Sequence, residues 1–286
     1  MSTPTASKAA RPRLAVIGAG AIGRLRIDRM GQRDDLALAA VVEPSDSGRA
    51  WAQALGVPVY ADPETMLEAV RPDGAIVATP NDMHVDVAIA CLRRGVAALV
   101  EKPVADTLDD ARRLLAAERE HGRPVLIGHH RRHNPILRRA REIVASGRLG
   151  RLLSATALAT FLKPDAYFDM AWRRQEGGGP ILINLIHDID LLRFLLGDIA
   201  SIQAFSAHEA RGFEVEDTAA ALLRFKSGAL ATLSVSDATT APWNWDPSGE
   251  AAHYPRQHIN SHYISGTQGS LTLPLLEIWT YAGARG

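Results

Sequence analysis

Three glycines, Gly18, Gly20 and Gly23, follow the apolar run Leu14–Ile17, and the amphipathic stretch IGRLRIDRMGQ continues from them. This joint restricts the fold more than any other feature of the chain. The first glycine allows the turn, the second leaves the backbone bare, and the third lets a helix close onto the strand before it. The N–H groups at the helix start then point outward, where they suit an anion such as a pyrophosphate. Gly18, Gly20, Ala21, Ile22 and Gly23 are therefore the expected dinucleotide contacts. Glu43 ends the next apolar run, twenty residues past Gly23. An acidic side chain there accepts hydrogen bonds from ribose hydroxyls and repels a 2′-phosphate, which favours NAD over NADP. Arg49 lies close enough to leave NADP open.

As far as about residue 130, short apolar runs (RLAVIG, LALAAVVE, GAIVAT, VAALVE, PVLIGH) alternate with amphipathic stretches of helical period. Strands that are apolar almost throughout belong in a parallel sheet covered on both faces. The expectation is an α/β chain whose residues 1–130 form a doubly wound Rossmann domain. HNPILRRAREIVASGRLG reads as a linking helix. Beyond it the apolar segments LLSATALATFL, IASIQAFSAHEA, EVEDTAAALLRFK, ALATLSVSDAT and SLTLPLLEIWTY are longer, more alternating and separated by turn signals. Residues 131–286 are thus expected to form an α+β domain with a large, open, mostly antiparallel sheet, one face exposed or covered by a partner. The helix PILINLIHDIDLLRFLLG interrupts that series.

Lys plus Arg and Asp plus Glu balance at 32 each, which gives no reason to expect nucleic-acid or membrane partners and suits a small ligand. The single cysteine, Cys91, excludes an intrachain disulfide and a cysteine-based zinc site. No apolar run is long enough to span a membrane. The opening MSTPTASKAARPR lacks the apolar centre of a signal peptide and reads as a frayed tail, so the expected compartment is the cytoplasm.

Thr79, Pro80 and Asn81 end one apolar run of the first half, and His84 follows at the start of a helix. Glu101 and Lys102 end the next run. All of these fall at the carboxyl edge of the sheet, where open α/β sheets bind ligands. Only four of the 32 basic side chains are lysines, so Lys102 invites a chemical reading: a desolvated lysine gives up its proton where arginine does not. A strand-end lysine reaching water, or pairing with Glu101, is the plain alternative. In the helix of the second half, Asn184, His187 and Asp188 interrupt an apolar surface at i, i+3 and i+4, and so need partners on one face. No spacing suited to a catalytic metal is present, so no metal is expected.

VIGAGAIG, VATPNDMH, VEKPVADT and GGGPILINLIHDIDLLRFLLG, in this order, resemble the glucose-fructose oxidoreductase, inositol dehydrogenase and rhizopine-catabolism family, Gfo/Idh/MocA. The resemblance implies hydride transfer between a nicotinamide cofactor and a hydroxyl carbon of a sugar, cyclitol or related polyol. Lys102 and His187 would flank the reacting carbon, either of them serving as base. The aspartate that often precedes that histidine by four residues is replaced by Ile183. Arg131, Arg132, Trp172 and Asn184 are further expected substrate contacts, with His130, His133 and Arg173 beside them. The long aromatic loop APWNWDPSGEAAHYP suits a sugar ring. An imine reductase or amino-acid dehydrogenase on the same scaffold, or a non-catalytic NAD-binding sensor, stays open. Members of the family this chain resembles usually continue for some tens of residues past a segment like LEIWTYAGARG; either this chain is naturally short, or a strand is missing and the sheet has an exposed edge. The open sheet face points to a homo-oligomer, a dimer or tetramer.

Overall fold

The computed structural model describes residues 11–250 and 253–281. Most of the tail expected at the N-terminus, two residues of the aromatic loop and the last five of the chain lie outside them. The chain divides between Gly128 and His129 into two compact units.

The first unit alternates strand and helix: β1 (Arg13–Ile17), α1 (Ala21–Gly31), β2 (Ala37–Val42), α2 (Asp46–Gln53), β3 (Val59–Tyr60), α3 (Pro63–Val70), β4 (Gly74–Val77), α4 (His84–Arg93), β5 (Ala97–Val100), α5 (Leu108–His121) and β6 (Val125–Ile127). Its six strands lie in the order β3-β2-β1-β4-β5-β6, and every pair is parallel. Successive residues of a strand enter opposite layers. Ala15, Ile17, Val42 and Val77 pack with Leu67, Leu92 and Leu114. Val16, Val41 and Ile76 pack with Ile27 and Met30. Both faces are covered, which is why these strands read as unbroken apolar runs. Helix starts are fixed locally: Ser45 accepts from Gly48 N–H, Asp62 from Thr65 N–H and Thr107 from Asp110 N–H. The strand order reverses between β1 and β4, leaving a crevice at their carboxyl ends. The two-residue β3 was too short to stand out in the sequence.

The second unit contains α6 (Pro135–Ala145), β7 (Leu152–Thr160), α7 (Ile186–Leu196), β8 (Ile199–Ala207), β9 (Thr218–Phe225), β10 (Leu230–Ser236), β11 (His262–Gly266), β12 (Ser270–Leu273) and β13 (Ile278–Trp279). The seven strands follow the order β13-β12-β11-β7-β10-β9-β8. Only β7 and β10 pair in parallel; the other pairs are antiparallel. Ala155, Ala157, Leu233, Val235 and Leu223 face Leu137, Leu191, Leu192 and Leu195 of α6 and α7. The small alanines let the helices lie close to the sheet. On the opposite face Phe205 is 86% exposed and Leu222 57%. The strand β11, inside HYISG, was not anticipated. The helix expected to begin at Pro180 opens instead as a wider π turn, Ile181–Leu185, before α7. Glu216 accepts a hydrogen bond from Ile181 N–H at its start.

No helix among the described residues is long and apolar enough to cross a membrane.

Candidate active site

In the first unit the ligand edge is built largely from backbone. Gly18 has φ +96°, and a Cβ there would sit 2.5 Å from Ala78 O; one on Gly23 would overlap Gly18 O. Gly20, which caps α1 without any side-chain hydrogen bond, has nothing within 4 Å of its would-be Cβ. Space is therefore open at the helix start, where Ala21 and Ile22 form the first turn. This arrangement fits a pyrophosphate on the free N–H groups. Glu43 lies at the end of β2, its Oε2 accepting from Ala19 N–H at 2.8 Å and its Oε1 from Ser45 Oγ at 2.7 Å. Burial would raise this carboxyl, but the Ser45 and Ala19 donors outweigh it and hold Glu43 below its ordinary value. Arg49 donates to Glu43 O and Pro44 O and pairs with Asp46, so its guanidinium is already engaged.

Beyond β4, Thr79 leaves a buried Oγ1 with no protein hydrogen-bond partner, and Pro80 and Asn81 lead into a short 3-10 turn. Two further expected cofactor contacts have protein partners of their own. His84 is buried, its Nδ1 2.7 Å from Pro103 O and its Nε2 3.0 Å from Thr79 O. Both ring nitrogens thus face protein carbonyls, and the ring ties the exit of β4 to the loop after β5. Glu101, 7% exposed, accepts from Arg26 Nε of α1 at 2.6 Å. That pair gives the buried carboxylate a charged partner. Lys102, half-buried, precedes Pro103 through a cis peptide bond.

In the second unit the polar groups gather around α7. His187 is 8% exposed, its ring centroid 5.2 Å from that of His130 and 6.3 Å from that of His129. Asp188 Oδ1 lies 3.2 Å from Arg131 Nη1 and 3.1 Å from His262 Nε2. Asp190 receives Arg132 Nε at 2.7 Å and Nη2 at 2.6 Å. Arg131 and Arg132, expected to hold substrate, each pair with one of these two buried aspartates, which need a cation more than the surface does. Arg131 also stands over the Trp245 ring, 5.8 Å from its centroid. Asn184 keeps a buried Oδ1 without a hydrogen-bond partner. Trp172, 41% exposed, lies on the 3-10 turn Ala171–Arg174 with Arg173 5.3 Å from its ring centroid.

Sequence reasoning missed Asp190, His262, Glu250 and a second buried cation, Lys163. Lys163 is 6% exposed, 3.3 Å from Asp237 Oδ2 and 4.3 Å from the Tyr167 ring centroid. Burial lowers its pKa, with Asp237 opposing. The scarcity of lysine that drew attention to Lys102 applies equally to Lys163. Among the described residues no group of three or more His, Cys, Asp or Glu side chains is placed to hold a metal.

Fold and glycine loop together define a dinucleotide-binding α/β protein carrying a second, sheet-based unit. Residues 12–129 match the family model described as oxidoreductase family, NAD-binding Rossmann fold, and residues 137–272 match the GFO/IDH/MocA C-terminal domain. The chain belongs to the Gfo/Idh/MocA family. It is 38% identical over 162 residues to 1,5-anhydro-D-fructose reductase of Ensifer adhaerens, covering 56% of this chain and about half (49%) of that one. Inositol 2-dehydrogenase 2 of Saccharopolyspora erythraea is 31% identical over 247 residues, 83% of this chain and 69% of the relative. The WlbA dehydrogenase of Bordetella pertussis, solved with NADH and UDP-GlcNAcA, superposes with TM-score 0.84 at 26% identity, covering 96% of this chain and 83% of that one.

Proposed function

We propose that the protein is an NAD-dependent dehydrogenase acting on a hydroxyl carbon of a sugar, cyclitol or related polyol. The observation that carries this reading is the match to both parts of one oxidoreductase family, joined to a glycine loop whose open Gly20 leaves room for a dinucleotide. Relatives named as a sugar reductase and an inositol dehydrogenase support the substrate class. In this reading the unit ending at Gly128 binds the cofactor, and the unit from His129 onward binds substrate and mediates oligomerisation.

Gly18, Gly20, Ala21, Ile22 and Gly23 would hold the pyrophosphate, Glu43 the adenosine ribose, and Thr79, Pro80 and Asn81 the nicotinamide half. Glu43 already carries a stabilised charge and Arg49 is engaged elsewhere, which supports NAD over NADP. When bound, the nicotinamide ring exchanges the hydride. Lys102 and His187 are the acid–base groups that take the hydroxyl proton or return it, and Asn184 and Trp172 are the remaining substrate contacts. The sheet face carrying Phe205 and Leu222 supports a homo-oligomer. The lone, buried Cys91, its thiol pushed up to about 12 by burial, suits the cytoplasm.

A panel of sugars, polyols and amino acids with NAD and NADP, followed by reduced-cofactor absorbance, tests the reading. Polyol oxidation with NAD is expected. Lys102→Ala and His187→Ala should each lower kcat about 100-fold or more with NADH still bound. Wild-type turnover in either variant removes that residue from the chemistry. Tight NADH binding without turnover of any compound would instead make the protein a sensor.

A further inference from the structure

We propose that Glu250 and His130 position the His187 imidazole. The inference rests on the functional reading above only in giving His187 chemistry to do; the arrangement itself belongs wholly to the second unit. Glu250 ends a π turn, Asp246–Glu250, in the aromatic loop after β10. Its carboxylate is 22% exposed and lies 3.3 Å from His130 Nε2 and 3.7 Å from Arg131 Nε. Burial alone would raise this carboxyl. His130 and Arg131, with the Trp245 indole, outweigh burial and hold it below the ordinary glutamate value.

An ionised carboxylate in such a place is costly unless it organises its neighbours. Glu250 Oε1 is buried, and none of these neighbours is aligned for a full hydrogen bond to it, so it acts through charge and proximity. The neighbour that matters is His130. Its ring meets that of His187 edge to face, with centroids 5.2 Å apart and planes at 70°. Glu250 draws the Nε2 side of His130 toward itself, and the ring thus held forms one wall against His187. On the helix side, the residue one turn before His187 is Ile183, which has no polar side chain to do this. Glu250 does not touch the reacting atoms in this arrangement; it is a positioning residue that acts on His187 through His130.

The charged and titratable groups packed around this part of α7 include His129, His130, Arg131 and Arg132 from the turn before α6, Asp188 and Asp190 from α7, His262 from β11, and Glu250. Of the three carboxylates among them, Glu250 is the one that can be neutralised without breaking an aspartate–arginine pair. The test is histidine NMR on the whole protein, with His187 assigned by the signal lost in His187→Gln. Removing a nearby negative charge disfavours imidazolium. In Glu250→Gln the His187 titration midpoint should therefore fall by about half a pH unit, and Glu250→Asp should recover most of that shift.

In the same Glu250→Gln protein, kcat for the polyol found by the panel should drop about ten-fold with the KM for NAD unchanged. An unmoved His187 midpoint overturns the proposal, whether or not the melting temperature falls, because the carboxylate would then only hold its loop. If no polyol is turned over, the functional reading fails while the NMR titration still decides this one.

Discussion

At the crevice of the first unit, the groups facing open space are peptide N–H groups from Gly20 onward, and side chains mostly stay out of the way. Around α7 in the second unit the reverse holds: Asp188, Asp190, Arg131, Arg132, His130 and His262 fill the surroundings of His187 with one another. A backbone-built edge tolerates almost any side chain outside it and almost none inside it. A network of buried charges tolerates no single deletion but does tolerate replacement as a set. The two units are thus vulnerable to opposite kinds of substitution.

The largest effect is expected at Asp188, which is 2% exposed and shared by Arg131 and His262. Asp188→Ala should cost about 3 kcal/mol in urea unfolding, because Arg131 and His262 lose the carboxylate they share and Arg131 keeps only the more distant Glu250. Replacing the pair together, Asp188→Leu with Arg131→Met, should return stability to within about 1 kcal/mol of wild type. If the double variant is as unstable as the single one, the network is not interchangeable as a set, and the contrast between the units weakens.

Next comes a pair of alanines in the glycine loop. Gly23→Ala should destabilise by about 2 to 3 kcal/mol, since the new methyl would overlap the Gly18 carbonyl, which is backbone and cannot step aside. Gly20→Ala has open space around it and should melt as wild type does, yet weaken NADH binding about ten-fold by intruding on the ligand. Equal melting temperatures for the two variants would mean that the loop is not packed as described.

This asymmetry also explains what could be read from the sequence. Gly18, Gly20, Gly23 and Glu43 were legible because backbone geometry restricts residue type at fixed spacing. The apolar period likewise marked the strands of both sheets, save β3, β11 and the division of SLTLPLLEIWTY into the antiparallel β12 and β13. His187 and Asp188 stood out as polar breaks in an apolar helix, but their partners did not. Arg131 and Arg132 lie 57 and 58 residues before the aspartates they pair with. Nothing in local spacing distinguishes an arginine waiting for a ligand from one already paired through tertiary packing. The partner of His84 is remote in the same way, since the carbonyl of Pro103 is nineteen residues away.

The smallest effect tests whether the first unit's edge has any side-chain electrostatics of its own. Glu43 has a folded pKa below its unfolded one, so its contribution is present above the ordinary glutamate value and is lost as pH falls through the depressed one. Glu43→Gln should therefore melt slightly below wild type at neutral pH, a difference under about 1 kcal/mol, and approach it as pH falls below the ordinary glutamate range. The loss arises because an amide cannot accept at once from Ala19 N–H and from both Ser45 donors as the carboxylate does. A melting difference that stays constant across this range would show that the charge of Glu43 is not what its three donors stabilise. The proposed ribose contact would then depend on the shape of the β2 end alone, as the proposed pyrophosphate contact does on the glycines.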